Sequence, residues 1–119
     1  IVSEYLTFSN NFKEKNNIMD YVHILFLIKF FDRYGEFFVT LADAGMYSFI
    51  IDAANIIMEK EYKDNYSTSD DADFLKKKTY ELYFYSGAMV NVFLQWQKNG
   101  KNITPEELAA IITDYRRIS

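Results

Sequence analysis

The stretch Tyr80-Glu-Leu-Tyr-Phe-Tyr-Ser-Gly-Ala-Met-Val-Asn-Val-Phe-Leu-Gln-Trp-Gln-Lys-Asn-Gly100 decides the fold. It reads as one helix with almost no freely polar face. A helix that is apolar nearly all round must be covered on more than one side. A chain of 119 residues has few other helices to do that covering. The stretch therefore reads as a helix that faces its own core on one side and another molecule on the other. At about 100° per residue, Leu82, Tyr85, Met89, Phe93 and Trp96 share one side. Tyr80, Phe84, Gly87, Asn91 and Gln95 lie roughly opposite, with Ala88 beside them. The first face suits a core or pocket wall. On the second, Gly87 and Ala88 permit close helix approach, and Asn91 and Gln95 can hydrogen-bond while staying uncharged. That mixture suits a seam between two subunits, since buried charges are costly and amides can be satisfied. The competing reading packs both faces within one monomer and leaves Asn91 and Gln95 solvated.

Working outward, Asn99-Gly100 closes this helix, with Lys98 near its negative end. Thr104 then reads as an N-cap, Pro105 as the first helical residue and Glu107 as the partner in a capping box. The last helix is predicted to run to about Ile118. Upstream, the long helix begins near Asp71, behind a loop over 65–73 in which Ser67, Thr68, Ser69 and Asp70 all suit an N-cap. Met46, Phe49, Ile50, Ala53, Ala54, Ile57 and Met58 recur at helical spacing. They predict a helix from Met46 to about Tyr62 with a polar end, Glu59 to Asp64. Glu36 to Ala44 reads as a short helix, with Gly45 as its C′ residue and Tyr34-Gly35 as the break before it. Ile18 to Arg33 predicts a further helix. Residues 1–15 predict one at looser spacing, with a break at Asn16-Asn17. The sum is an all-α domain of five or six helices over 1–119, and the start at Ile1 rather than Met suggests a piece of something longer.

Composition narrows the function. Zero Cys removes disulfides and thiolate metal sites and fits a reducing compartment. One His makes a histidine-based metal site untenable. The chain has 13 Lys plus Arg against 17 Asp plus Glu and no basic cluster longer than Lys76-Lys77-Lys78, which makes it a poor nucleic-acid binder by itself. The most apolar run, Ile18 to Phe31, contains Asp20, His23 and Lys29 and is shorter than the ~20 residues needed to span a bilayer. No secretory signal is present. These features predict a soluble, cytoplasmic domain with no membrane contact. With no Cys nucleophile, second His, phosphate-binding glycine loop or Gly-x-Ser-x-Gly, the chain does not read as an enzyme, and no cofactor is expected.

The run Tyr85 to Gly100 followed by Ile103-Thr-Pro-Glu-Glu-Leu108 resembles the end of the C-terminal domain of the tetracycline-repressor (TetR/AcrR) family. Members carry an aromatic-rich helix with small residues, then Trp-x-x-x-Gly, then Ser/Thr-Pro-Glu-Glu. Phe30-Phe-Asp-Arg-Tyr-Gly-Glu-Phe-Phe38-Val-Thr-Leu41 is similar to the family's helix, short break and aromatic pair before a Leu. Within the family the chain most resembles the branch that includes regulators of dihydroxyacetone kinase operons in low-GC Gram-positive bacteria. Gln97, where members often have Leu, and Asn91 depart from the pattern. The resemblance implies the ligand-sensing and dimerisation half of a one-component repressor. It implies a homodimer through the last two helices, with Leu108, Ile111 and Tyr115 joining Tyr80, Phe84, Gly87, Ala88, Asn91 and Gln95 in the seam. DNA would be bound only by a preceding helix-turn-helix domain, which no part of these 119 residues matches. A small apolar or aromatic inducer would lie among the middle helices.

His23, Phe26, Phe30, Met46, Phe49, Tyr83, Met89 and Phe93 are the candidate ligand-binding residues, with Met58 beside them. Pockets are mostly apolar with a few placed polar groups, but plain core demands the same residues. His23 has the same two readings, a satisfied histidine or a donor to an inducer. Asp43 and Asp52 read as solvated faces. The alternative to a sensor is an all-helical interaction and dimerisation module with no small ligand, whose aromatics are simply core.

Overall fold

The computed structural model of the protein describes residues 20–118, and these form five helices with no strand among them. The helix predicted over 1–15 and the break at Asn16-Asn17 lie outside the described residues. Helix α1 spans Tyr21–Asp32, α2 Gly35–Asp43, α3 Tyr47–Tyr66, α4 Ala72–Lys98 and α5 Pro105–Ile118. The Asp20 carboxylate caps α1 by accepting from the His23 N–H at 2.8 Å, so this helix starts after Asp20 rather than at Ile18.

Both predicted glycine stops are built alike. After α2, the Gly45 N–H donates to the Ala42 carbonyl and the Met46 N–H to the Leu41 carbonyl, with Gly45 at φ 79°. After α4, the Gly100 N–H donates to Gln97 and the Lys101 N–H to Trp96, with Gly100 at φ 72°. Each is a Schellman closure, which needs a left-handed residue that glycine adopts without strain. The capping box of α5 is also made: Glu107 N–H donates to Thr104 Oγ1 and Thr104 N–H to Glu107 Oε1, both at 3.1 Å.

Three further boundaries differ from the sequence reading. Gly35 is the first residue of α2 rather than a break before it. Asp71 caps α4, accepting from Asp73 and Phe74 N–H at 3.0 and 3.1 Å, where Ser67 to Asp70 had been the candidates. Helix α3 continues to Tyr66, and two residues of its polar end turn inward: Glu61 is fully buried and Tyr62 is 5% exposed, while Glu59, Lys63 and Asp64 stay exposed. The reason is tertiary. Glu61 Oε2 sits 3.1 Å from His23 Nε2 on α1, and the Tyr62 hydroxyl donates to Glu81 on α4 at 3.2 Å. Burial, reinforced by the Glu81 carboxylate, pushes the Tyr62 phenol up, so it stays a protonated donor.

Helices α3 and α4 pack antiparallel along their length, with Met58 and Tyr62 against Leu82 at one end and Ile50 against Val90 and Leu94 at the other. Helix α1 packs on α5, where Ile24 and Ile28 meet Trp96, Leu108 and Ala109. A third group, Leu27, Phe30 and Ile57, joins α1 to α3. Met89 adjoins three of these clusters. The corner where α4 passes into α5 is tied by polar contacts. Trp96 Nε1 donates to the Ile103 carbonyl at 2.9 Å. Gln97 Nε2 donates to Asp32 Oδ1 at 2.6 Å, and Lys101 Nζ reaches the same oxygen at 3.3 Å. Lys29 pairs with Glu106 at 2.9 Å and holds that carboxyl below its usual range. Lys98, placed at the negative end of α4, pairs with Asp43 at 3.3 Å.

A candidate effector cavity and an exposed helix face

Helices α1, α2, α3 and α4 enclose a cavity of about 530 Å³, within the range of small-molecule sites. Every one of the apolar clusters contributes to its wall, so it lies where they would otherwise merge. The local cause is visible in the sequence of the crossing. Ala53 and Ala54 on α3 and Ser86 on α4 are small residues in its wall, and their side chains fill little of the space between the helices. Helix α1 adds Leu27, Ile28 and Phe31, and α2 adds Phe37, Phe38 and Leu41. Ring contacts knit part of the wall: Phe38 meets Phe31 at 5.9 Å and Phe93 at 6.1 Å, both edge-on. Phe37 and Phe49 also line it, although they are 51% and 62% exposed, and so form its rim.

Among the described residues, no Asp, Glu, Lys, Arg or His lines the cavity. Its polar side chain is Ser86, which is 1% exposed and whose Oγ has no hydrogen-bond partner among the described residues.

Of the candidate ligand-binding residues, Phe49, Met89 and Phe93 lie on this wall, together with Met58. The other five stand elsewhere. His23 is fully buried against Glu61. Phe26 lies between His23 and Phe30, at 6.4 and 6.1 Å between rings, in the α1–α3 cluster. Phe30 is buried in that cluster and covered by the Arg33 guanidinium at 5.4 Å. Met46 is the N-cap residue of α3, and Tyr83 is 42% exposed on α4. The sequence does not single out Ser86 or the Phe37-Phe38 pair as cavity wall, and on α1 it points to His23, Phe26 and Phe30 where Leu27, Ile28 and Phe31 line the cavity. The signal available was the pair of small residues, Ala53-Ala54, in an otherwise bulky stripe.

The second face of α4 is open. Tyr80 is 76% exposed and Phe84 67%, and Ala88, Asn91 and Gln95 are exposed below them. A Cβ added at Gly87 would meet nothing within 4 Å. On α5, Tyr115 is 71% and Ile111 44% exposed. Leu108, read as a member of the same face, instead points inward and is 5% exposed against Trp96 and Ile24. No helix among the described residues is long and apolar enough to cross a membrane.

No curated protein and no solved structure matches the chain. Residues 21–117 match the family TetR_C_8, the transcriptional regulator C-terminal region. That match takes in all five helices, the apolar cavity and the exposed α4 face, and the chain belongs to this family of TetR-type regulator C-terminal regions.

Proposed function

We propose that this chain is the effector-sensing and dimerising domain of a TetR-type transcriptional repressor, acting in the cytoplasm, with a small apolar or aromatic inducer as its effector. The observation that carries the reading is the double use of α4. Ser86, Met89, Val90 and Phe93 wall the cavity, while Tyr80, Phe84, Asn91 and Gln95 stand exposed on the same helix. A molecule that enters the cavity presses on the rigid element whose other side meets a partner.

In this reading the exposed face is a homodimer seam, made by Tyr80, Phe84, Gly87, Ala88, Asn91 and Gln95 with Ile111 and Tyr115. Two features support it. Large aromatic side chains are left in water on a helix otherwise well packed. Gly87 is not demanded by anything among the described residues, whereas a facing helix would use its lack of a side chain. DNA contact belongs to a separate helix-turn-helix domain.

Light scattering tests the seam. The chain should be a dimer, and Asn91→Arg should make it a monomer by placing a charge at the seam centre. A wild-type monomer at high micromolar concentration would remove the seam. A thermal-shift screen of apolar and aromatic compounds tests the sensor: a ligand at 100 times its Kd stabilises by about 2.7 kcal/mol. No shift across a broad library would favour an interaction module without a ligand.

A further inference from the structure

We propose that the cavity selects an uncharged, mainly apolar ligand carrying one hydrogen-bonding oxygen, and that the Ser86 hydroxyl is the group that meets it. This rests on reading the cavity as a ligand site and goes beyond it to the ligand's chemistry. Three observations carry the inference. The first is the absence, among the described residues, of any ionisable side chain from the wall. An ion entering there would lose its hydration with nothing to replace it, so charged molecules are rejected.

The second is the state of Ser86 compared with other helical hydroxyls of the same chain. Thr40, Thr79 and Thr113 each turn back and donate to the carbonyl four residues earlier, at 2.8, 2.9 and 2.7 Å. Ser86 does not. It is buried at 1% exposure, lines the cavity and is unpartnered among the described residues. Buried polar groups are normally satisfied, and an exception points to a missing partner. A hydroxyl both donates and accepts, so an alcohol, phenol or carbonyl oxygen of the ligand would satisfy it.

The third is position. The exposed rings of Phe37 and Phe49 form the rim, whereas Ser86 is 1% exposed. A ligand would enter with its oxygen inward and leave its apolar body between the aromatic side chains.

The test is a matched series, naphthalene, 1-naphthol and 1-naphthoate, titrated by calorimetry into the wild-type chain and Ser86→Ala. In the wild type, 1-naphthol should bind about tenfold tighter than naphthalene, the order expected of one buried hydrogen bond. Ser86→Ala should erase that preference and leave naphthalene affinity unchanged. The naphthoate should bind at least about tenfold more weakly than the naphthol. Equal wild-type affinity for naphthol and naphthalene, a preference that survives Ser86→Ala, or tight naphthoate binding would each overturn the proposal. In those cases naphthalene binding that is lost in Ala54→Trp leaves the cavity standing as a ligand site. If none of the three probes binds, both readings fall. Should Ser86→Ala not fold, the wild-type series decides alone.

Discussion

The α4–α5 corner and the α2–α3–α4 cavity lie at opposite extremes of packing. At the corner nearly every group is used. Trp96 is 4% exposed and its indole N–H is bonded to Ile103. Gln97 and Lys101 converge on Asp32, and Thr104 and Glu107 satisfy one another. Around the cavity, large aromatic rings stand half in water, small residues line the wall, and a buried hydroxyl lacks a partner among the described residues. The comparison separates two tasks. Polar locks and close packing hold the frame, and the unfilled region is stabilised by less and is free to accept something else.

Three substitutions sharpen that contrast. Trp96→Ala should be the most damaging, with a loss of about 3–5 kcal/mol in chemical denaturation, since it empties the centre of the α1–α4–α5 cluster and strands the Ile103 carbonyl. A loss below about 1 kcal/mol, within the range of surface substitutions, would mean that the corner is not the frame. Gly35→Ala should cost about 1–3 kcal/mol. Its new methyl would fall within 2.7 Å of the Gln97 amide nitrogen, which is already held by Asp32. Combining it with Gln97→Ala should recover most of that loss, and additive losses would refute the contact. Ala54→Leu should have the smallest effect and the opposite sign. Added methylenes fill empty volume rather than crowd a packed core, so stability should hold or rise by up to about 1 kcal/mol while probe binding falls. A clear destabilisation would show that the cavity is smaller than drawn.

The parts of this fold that were legible in the sequence are those governed by neighbours along the chain. Thr104-Pro-Glu-Glu107 predicts a capping box because both partners sit within one turn. Gly45 and Gly100 predict helix stops because the left-handed residue follows directly on the last turn. The two faces of α4 follow from a fixed angle per residue. The burial of Glu61 is not legible for the complementary reason: in the polar run Glu59-Lys60-Glu61-Tyr62 nothing along the chain marks it, and its partner His23 comes from α1. Leu108 was assigned outward because its own helix does not say which neighbour lies closer. The cavity was least legible. Phe49, Met89 and Phe93 stand out by being large and apolar, but a void is defined by what is small, and in the sequence only the Ala53-Ala54 pair marks it. Gln97 looked like a departure from a family pattern, and here it joins α4 to the end of α1 through Asp32.

Two thioethers, Met58 and Met89, sit in the cavity wall, and Met89 also touches three of the surrounding clusters. An unbranched side chain with three rotatable bonds changes shape at little cost. The consequence is tolerance of outline. The wall is not a fixed mould, and molecules of different contour can be accommodated by rotamer changes while the backbone stays still. Ser86, short and anchored on a 27-residue helix, has no such latitude. A recognition surface made this way is permissive about shape and strict about the location of one oxygen.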